Sequence, residues 1–387
     1  MTSPEHLLHR RPVDINKISL TEWDDFLRHI GITAGSRSVI YKSVYFEGIR
    51  DIRDIPGLSG DEYHTLEESL IIPSSGSQGL LKSRDGSMRL TLKLHDGHLA
   101  ETVIIPEWNN GTLDKVSASI SSQIGCFFGC SFCATGKMGF HRNLSTLELL
   151  DQIRESEKII RDEFGCGMTH LYFMGMGEPM HNYRSLSEAL SITNDNAAPG
   201  PPAGRITVST VGLFRQIRML ADDHPEVRLA VSIHSADQET RYQIMPVSAR
   251  LGLAEIREAL SYYNRKTGQT VTIQYLLMKD VNDRQQDAEN LASYLRNIRA
   301  GITLIMYNDV SESGMTRTER ERWNTFRNVL TGAGFDTDTR WCYGEDIEAG
   351  CGQLKVFSEN DRVSMSMRHG SGLRSGKPEQ HPSGKPE

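Results

Sequence analysis

Three cysteines, Cys126, Cys130 and Cys133, stand within eight positions in the segment Cys126-Phe-Phe-Gly-Cys130-Ser-Phe-Cys133. A loop this short can hold three corners of an iron–sulfur cubane and leave the fourth iron open to a substrate. Four-iron electron carriers use four cysteines and closed zinc sites use four ligands, so the compact triple points to a cluster with a vacant iron. The alternatives are a zinc site completed by Cys166 or His141, or three cysteines buried as small hydrophobes. Six cysteines in 387 residues are too few for a disulfide framework, which favours metal chemistry in a reducing compartment.

Other residues could hold a small molecule beside such a centre. Gly175-Met176-Gly177-Glu178-Pro179 combines low side-chain bulk with a carboxylate that could grip an ammonium, although a tight turn would look the same. Ser209, Ser232 and Asn308 offer hydroxyl and amide hydrogen bonds suited to a ribose or carboxylate, and each is otherwise an ordinary turn residue. His234 reads as a core histidine or a proton carrier. Cys351 lies between Gly350 and Gly352, which permit close backbone approach by a substrate, and its bland reading is a small buried residue.

The elements that must position these residues form a pattern. From about residue 116, six β-branched runs (VSASISSQI, HLYFM, RITVST, RLAVSIH, VTIQYLLM and ITLIMY) alternate with amphipathic helical stretches. Two of those helices are expected to start at capping boxes, Ser145 with Glu148 and Ser185 with Glu188. Regular alternation predicts a parallel α/β sheet, and six units predict a partial (β/α)6 barrel, two short of the full fold. Gly125-Cys126, Gly175 to Pro179, Ser209-Thr210, Ser232 with His234, Lys279-Asp280 and Asn308 all follow strands. They should therefore share the carboxyl end of the sheet, where parallel α/β folds place their chemistry.

Upstream, SLTEWDDFLRHIGI, SVIYKSVYFEGI and GDEYHTLEESLI carry helical periodicity and predict a small helical accessory domain ending near residue 72. Alternation in LLKSRDGSMRLTLKLHDGHLAETVIIPE, with Asp-Gly turns at 85–86 and 96–97, predicts hairpin strands. The expected organisation is an accessory domain with hairpins over 1–96, a core over 97–368 and a disordered tail over 369–387 in which SGKPE occurs twice. A net charge of −7 argues against a surface that grips nucleic acid everywhere. The chain has neither a run of roughly 18 apolar residues nor the apolar core of a secretory signal, so a cytoplasmic protein without a membrane partner is expected.

C-x3-C-x2-C is the radical S-adenosylmethionine (SAM) signature, in which a ring such as Phe132 shields the cluster near the adenine. The chain resembles the RlmN/Cfr family of RNA adenosine methyltransferases in SSQIGCFFGCSFCATGKMGFHRNLS at 121–145, FMGMGEPMHNY at 173–183, VSTVG at 208–212, LAVSIHS at 229–235 and GEDIEAGCGQL at 344–354. YKSVYFEGIRDIRDIPGLS resembles that family's accessory domain more loosely. The resemblance implies a radical SAM barrel with a [4Fe-4S] cluster on Cys126, Cys130 and Cys133, SAM as co-substrate, and rRNA or tRNA as substrate. It implies that one SAM methylates Cys351. A second, cleaved reductively, yields a 5′-deoxyadenosyl radical that takes hydrogen from the methylcysteine, and the carbon radical adds to C2 or C8 of adenine. Gly177, Glu178, Ser209, Ser232, His234 and Asn308 would bind the nucleotide cofactor, and Glu101 would be the proton acceptor. An electron donor such as flavodoxin or ferredoxin and a monomeric state complete the expectation.

One position departs from the family. Its members carry a second cysteine seven residues before the first cluster cysteine, which releases the RNA through a transient disulfide; here that position is Ser119. A hydroxyl cannot form a disulfide. Cys342 or Cys166 could resolve the intermediate instead, the chemistry or substrate could differ, or the chain could bind RNA without turnover. A radical SAM enzyme acting on a non-RNA substrate and a metal-stabilised RNA-binding protein are therefore the competing functions.

Overall fold

Among the described residues the β-branched runs join one mixed sheet of ten strands whose spatial order follows the chain. The computed structural model describes residues 12–195, 198–308, 310, 313–340 and 343–355; Cys342 and the expected tail at 369–387 lie outside the described residues. β1 (Gly76–Lys82), β2 (Met88–Lys93) and β3 (Leu99–Asn109) run antiparallel and join β4 (Thr112–Ser119), also antiparallel. From there β4, β5 (His170–Phe173), β6 (Ile206–Thr210), β7 (Arg228–Ser232), β8 (Val271–Leu277), β9 (Ala300–Met306) and β10 (Thr337–Arg340) are parallel.

Among the described residues three α-helices precede the sheet: α1 (Leu20–His29), α2 (Ala34–Tyr41) and α3 (Gly60–Ser69). The parallel strands are linked by α4 (Thr146–Phe164), α5 (Tyr183–Thr193), α6 (Phe214–Asp223), α7 (Gln238–Ile244) with α8 (Leu253–Thr267), α9 (Gln285–Tyr294) and α10 (Arg320–Gly332). This is the expected partial (β/α)6 barrel, extended at its edge by a seventh parallel strand that the sequence did not announce. β10 reads Thr-Asp-Thr-Arg, and such a short polar edge strand carries little apolar signal.

Side chains alternate across each strand. Ile206 and Val208 of β6, Leu229 and Val231 of β7, and Ile273 and Tyr275 of β8 enter the main apolar core. The residues between them, including Ser209, Ser232 and Gln274, occupy the opposite face. One sheet face is thus oily, and the other mixes Ser209, Ser232 and Gln274 with Leu276 and Ile305, which gives a ligand inside the partial barrel both polar and apolar walls.

The Ser145–Glu148 capping box is present at the start of α4. The one expected at Ser185–Glu188 is not: α5 begins at Tyr183, after a 3-10 turn over Pro179–Asn182 that Glu178 caps. Ser185 is thereby inside the helix, and the Glu188 carboxylate is taken instead by Thr146 Oγ1 at 2.5 Å and by Arg184. The run VSASISSQI also divides, because β4 stops at Ser119 and Gln123–Gly125 pairs with Phe140–Asn143 in a small separate hairpin.

Trp23, Phe26, Ile40, Val44 and Leu66 of the N-terminal helices share a continuous core with Leu149, Leu150 and Ile153 of α4. Polar contacts reinforce that seam. Arg154 donates to the Val44 and Tyr45 carbonyls at 3.3 and 2.6 Å and to Asp151 at 2.5 Å, and Asp151 also pairs with Arg50. Gly48, at φ +77, ends the helical stretch because a Cβ there would stand 2.9 Å from Arg154 Cδ. At the Asp96-Gly97 turn β2 pairs directly with β3, so the sheet continues across residues 96 and 97.

Candidate active site

Cys126, Cys130 and Cys133 occupy the loop after β4, at the carboxyl end of the parallel strands. Gly125 admits the loop: its φ is +72 and a Cβ would fall 1.8 Å from the Gly139 oxygen, so only glycine fits. Cys126 N–H donates to that same carbonyl at 2.9 Å, and Ser131 N–H donates to the Ile244 carbonyl at 3.0 Å. Cys130 and Phe132 pack with Ile244, Met245, Leu276, Met278, Ile305 and Tyr307. Burial, and the approach of each sulfur to its neighbours, pushes the Cys126 thiol up to about 12, Cys130 well above its ordinary range and Cys133 upward. A cationic iron–sulfur core relieves that repulsion by taking the thiolates, so the donor set fits such a group.

The β5 exit lies against this loop. Gly177, at φ +93, would place a Cβ 2.5 Å from Gln123 Cβ, and Gly175 would place one 2.7 Å from the Ile120 backbone. Glu178 is buried, and its two oxygens accept from Met180 N–H at 3.0 Å and Val211 N–H at 2.8 Å. Burial outweighs those bonds and holds its carboxyl up at about 7. Ser209 and Ser232 converge on one acceptor, Gln274 Oε1, at 2.7 and 3.2 Å, and Gln274 Nε2 reaches Met174 Sδ at 3.4 Å. Gln274 was not singled out from the sequence, although it interrupts the otherwise apolar end of VTIQYLLM.

His234 is held at φ +54 and buried, its Nδ1 accepting Leu276 N–H at 3.0 Å and its ring set edge-on to Phe132 at 5.1 Å. Protonating Nδ1 would set two donors against each other. Burial first, and the Arg241 charge second, depress the imidazole from 6.5 to about 3. The ring is therefore neutral, a fixed Nε2–H donor rather than the proton carrier weighed above. Because the folded value lies below the unfolded one, stability is complete above about pH 6.5 and falls as pH drops towards 3. His234→Asn is expected to reduce the slope of unfolding free energy between pH 6 and 4 by one proton, about 1.4 kcal/mol per pH unit. Urea titrations at several pH values test this, and equal slopes would contradict it.

The Cys351 thiol, 218 positions beyond Cys133, is brought to the same place. Gly352 C=O accepts Ala134 N–H at 2.7 Å, Leu354 C=O accepts Thr135 Oγ1–H at 2.5 Å, and Cys351 C=O accepts Asn308 Nδ2–H at 3.3 Å. A Cβ on Gly350 would stand 2.4 Å from Asn308 Nδ2, and one on Gly352 would stand 3.2 Å from the Phe132 oxygen, so both glycines permit this seating. Cys351 itself is exposed, which overturns its reading as a small buried residue. From the far side, Asp85 Oδ2 accepts Gly344 N–H at 2.7 Å and Asp346 accepts Arg84 N–H at 3.2 Å, so the β1–β2 turn clasps the segment. The sequence marked Asp85 only as part of an Asp-Gly turn and gave Asp346 no role of its own.

Glu101 is buried on β3, with Oε1 3.7 Å from Arg89 Nε, and Arg89 Nη1 donates to the Glu348 carbonyl at 3.2 Å. Arg89 thus connects Glu101 to the loop of Cys351. Ser119 ends β4, buried beside Val103 and Tyr172. Cys166 lies between α4 and β5, at the amino end of the parallel strands and away from Cys126, Cys130, Cys133 and Cys351. It neither completes a metal site with them nor reaches Cys351. On β10, Arg340 Nη1 stands 3.5 Å from Met174 Sδ, and the proximity of Cys351 is the main influence raising its pKa.

Comparisons with known proteins decide the family. The Radical SAM superfamily model matches residues 120–292. A Salinibacter ruber protein named "Probable dual-specificity RNA methyltransferase RlmN" is 36% identical over 351 residues, 90% of this chain and 95% of its own length. The chain belongs to the RlmN family. A Heliobacterium modesticaldum RlmN relative with the same printed name is 39% identical over 83% of this chain and 84% of its own. A radical SAM methyltransferase of known structure from Sphaerobacter thermophilus superposes with a TM-score of 0.79, at 31% identity, over 89% of this chain and 99% of its own. Membership in the radical SAM superfamily brings a [4Fe-4S] cluster and SAM. The buried Asn308 Oδ1, which has no hydrogen-bond partner among the described residues, fits a cofactor that arrives with a donor.

Proposed function

We propose that the chain methylates a ring carbon of adenosine, C2 or C8, in rRNA or tRNA, with Cys351 as the methyl carrier. The observation that carries this reading is the seating of an exposed Cys351 directly on the loop of Cys126, Cys130 and Cys133. The printed names of the relatives support RNA as the substrate. When bound, the [4Fe-4S] cluster and SAM supply one-electron chemistry and the methyl group.

The chain's own residues hold and orient. Cys126, Cys130 and Cys133 would hold the cluster. Gly177 lets backbone come close to the cofactor, and Glu178 braces the β5 and β6 exits around it. Ser209, Ser232, the His234 Nε2–H and the free Asn308 Oδ1 present hydrogen bonds to the nucleotide. Glu101 accepts a proton from the substrate, with Arg89 balancing its charge. Cys166 being remote, Cys342 is the candidate for the work of the family's second cysteine, and it stands two positions beyond Arg340. Among the described residues no helix is long and apolar enough to cross a membrane. We place the protein in the cytoplasm as a monomer, reduced by a flavodoxin or ferredoxin.

Reconstituted protein given RNA, SAM and a reductant is expected to produce methyladenosine, detected by mass spectrometry of the digested RNA. An intact cluster with no methylated base would sink the reading. Formation of 5′-deoxyadenosine without any RNA product would move the substrate elsewhere, as Ser119 allows.

A further inference from the structure

Arg241 is fully buried, yet no role in the proposed reaction has been given to it. It projects from α7, whose final carbonyl, Ile244, accepts the N–H of Ser131 beside Cys130. Its guanidinium donates to three carbonyls: Ile233 at 3.2 Å, Leu251 at 3.1 Å and Val211 at 2.6 Å. Among the described residues no carboxylate lies within ion-pair distance of it. Burial lowers its pKa to about 10, so the group stays charged near neutrality. Carbonyls alone do not explain the charge, since a neutral amide could serve some of them, and a buried cation without an anion is costly.

The anion at hand is sulfur. Cys130 packs with Ile244 and Met245 of the same segment, and Val211, whose carbonyl the Arg241 guanidinium holds, packs against that same cluster. The Val211 peptide ties the arrangement together: its C=O accepts from Arg241 and its N–H donates to Glu178, the buried carboxylate at the β5 exit. We infer that Arg241 is the buried counter-charge of the thiolate-bound cluster and that it raises the cluster's reduction potential. Three thiolates leave the bound cluster anionic, and reduction adds one more negative charge to a site from which water is excluded. A fixed cation favours the reduced form, and net charge is one of the levers on such potentials. Arg241 is thus a positioning and tuning residue that makes the cluster reducible by a protein donor. This rests on the assignment of Cys126, Cys130 and Cys133 as cluster ligands.

Arg241→Met and Arg241→Lys, reconstituted beside the wild type, test it through iron content and an EPR-monitored redox titration. Arg241→Met is expected to keep its iron but to show at least a ten-fold lower ratio of reduced to oxidised cluster at a fixed ambient potential, about 59 mV for a one-electron couple. Arg241→Lys, which keeps the charge, should stay within about two-fold of the wild type. A Met variant with full iron and an unshifted potential would overturn the inference, as would a Lys variant shifted as far as Met. If Arg241→Met does not fold, Arg241→Lys decides alone: a wild-type potential supports the role and a ten-fold shift rejects it. A wild-type chain that takes up no iron overturns the cluster assignment itself, and the inference with it.

Discussion

Cys351→Ala is expected to lower RNA methylation by roughly 10^4-fold or more, the scale of losing a covalent group that carries the transferred atom. The change removes one sulfur and little else. The seat of the segment is built from backbone: the Cys351, Gly352 and Leu354 carbonyls accept from Asn308, Ala134 and Thr135, and alanine preserves all three bonds. Cys351 is exposed, so truncation leaves no cavity, and stability should change by no more than about 0.5 kcal/mol. Cluster content should match the wild type, because the three other thiols are untouched. Methyladenosine yield, iron content and melting temperature, measured on one preparation, separate chemistry from structure. Methylation within ten-fold of the wild type would remove Cys351 from the reaction.

Asp151→Ala should be among the most destabilising single changes in the chain, at about 3–5 kcal/mol. The carboxylate sits between Arg50 and Arg154, and the three side chains are only 14%, 12% and 13% exposed in the order Arg50, Asp151, Arg154. Its removal leaves two guanidinium groups facing each other away from water. The damage should centre on the seam between the N-terminal helices and α4, because Arg154 also carries the Val44 and Tyr45 carbonyls. An exposed pair gives the contrast: Arg53 and Glu67 are 77% and 37% exposed at 2.7 Å, and Glu67→Ala should cost less than about 1 kcal/mol. Urea unfolding of both variants makes the comparison, and a loss below about 1 kcal/mol for Asp151→Ala would contradict the account.

Strand positions were legible wherever burial enforces an apolar run. The six runs from VSASISSQI to ITLIMY lie on β4 to β9, and the residues after them share the carboxyl end of the sheet, because parallel order puts every strand exit on one side. Where the environment is half wet the reading failed. β10 is polar and escaped notice, while α5 began two residues before the expected cap because Glu178 had already organised the turn ahead of it.

By itself the sequence determined the cluster triple and the strand–helix order, since each depends on neighbours a few residues away; the glycines at 125, 177 and 352 were visible, but what requires them there is backbone or side chain 14, 54 and 220 positions distant. Only the tertiary structure decided that Cys351 is exposed and rests on the Cys133 loop, that Asp85 and Asp346 clasp it from the β1–β2 turn, and that Cys166 lies at the wrong end of the sheet. It also decided that Arg241, with no carboxylate partner among the described residues, stands on the helix whose last residue, Ile244, packs with Cys130. The physical reason is range. Periodicity and turn chemistry act over a few residues, whereas burial and charge pairing depend on which distant segments the sheet brings together.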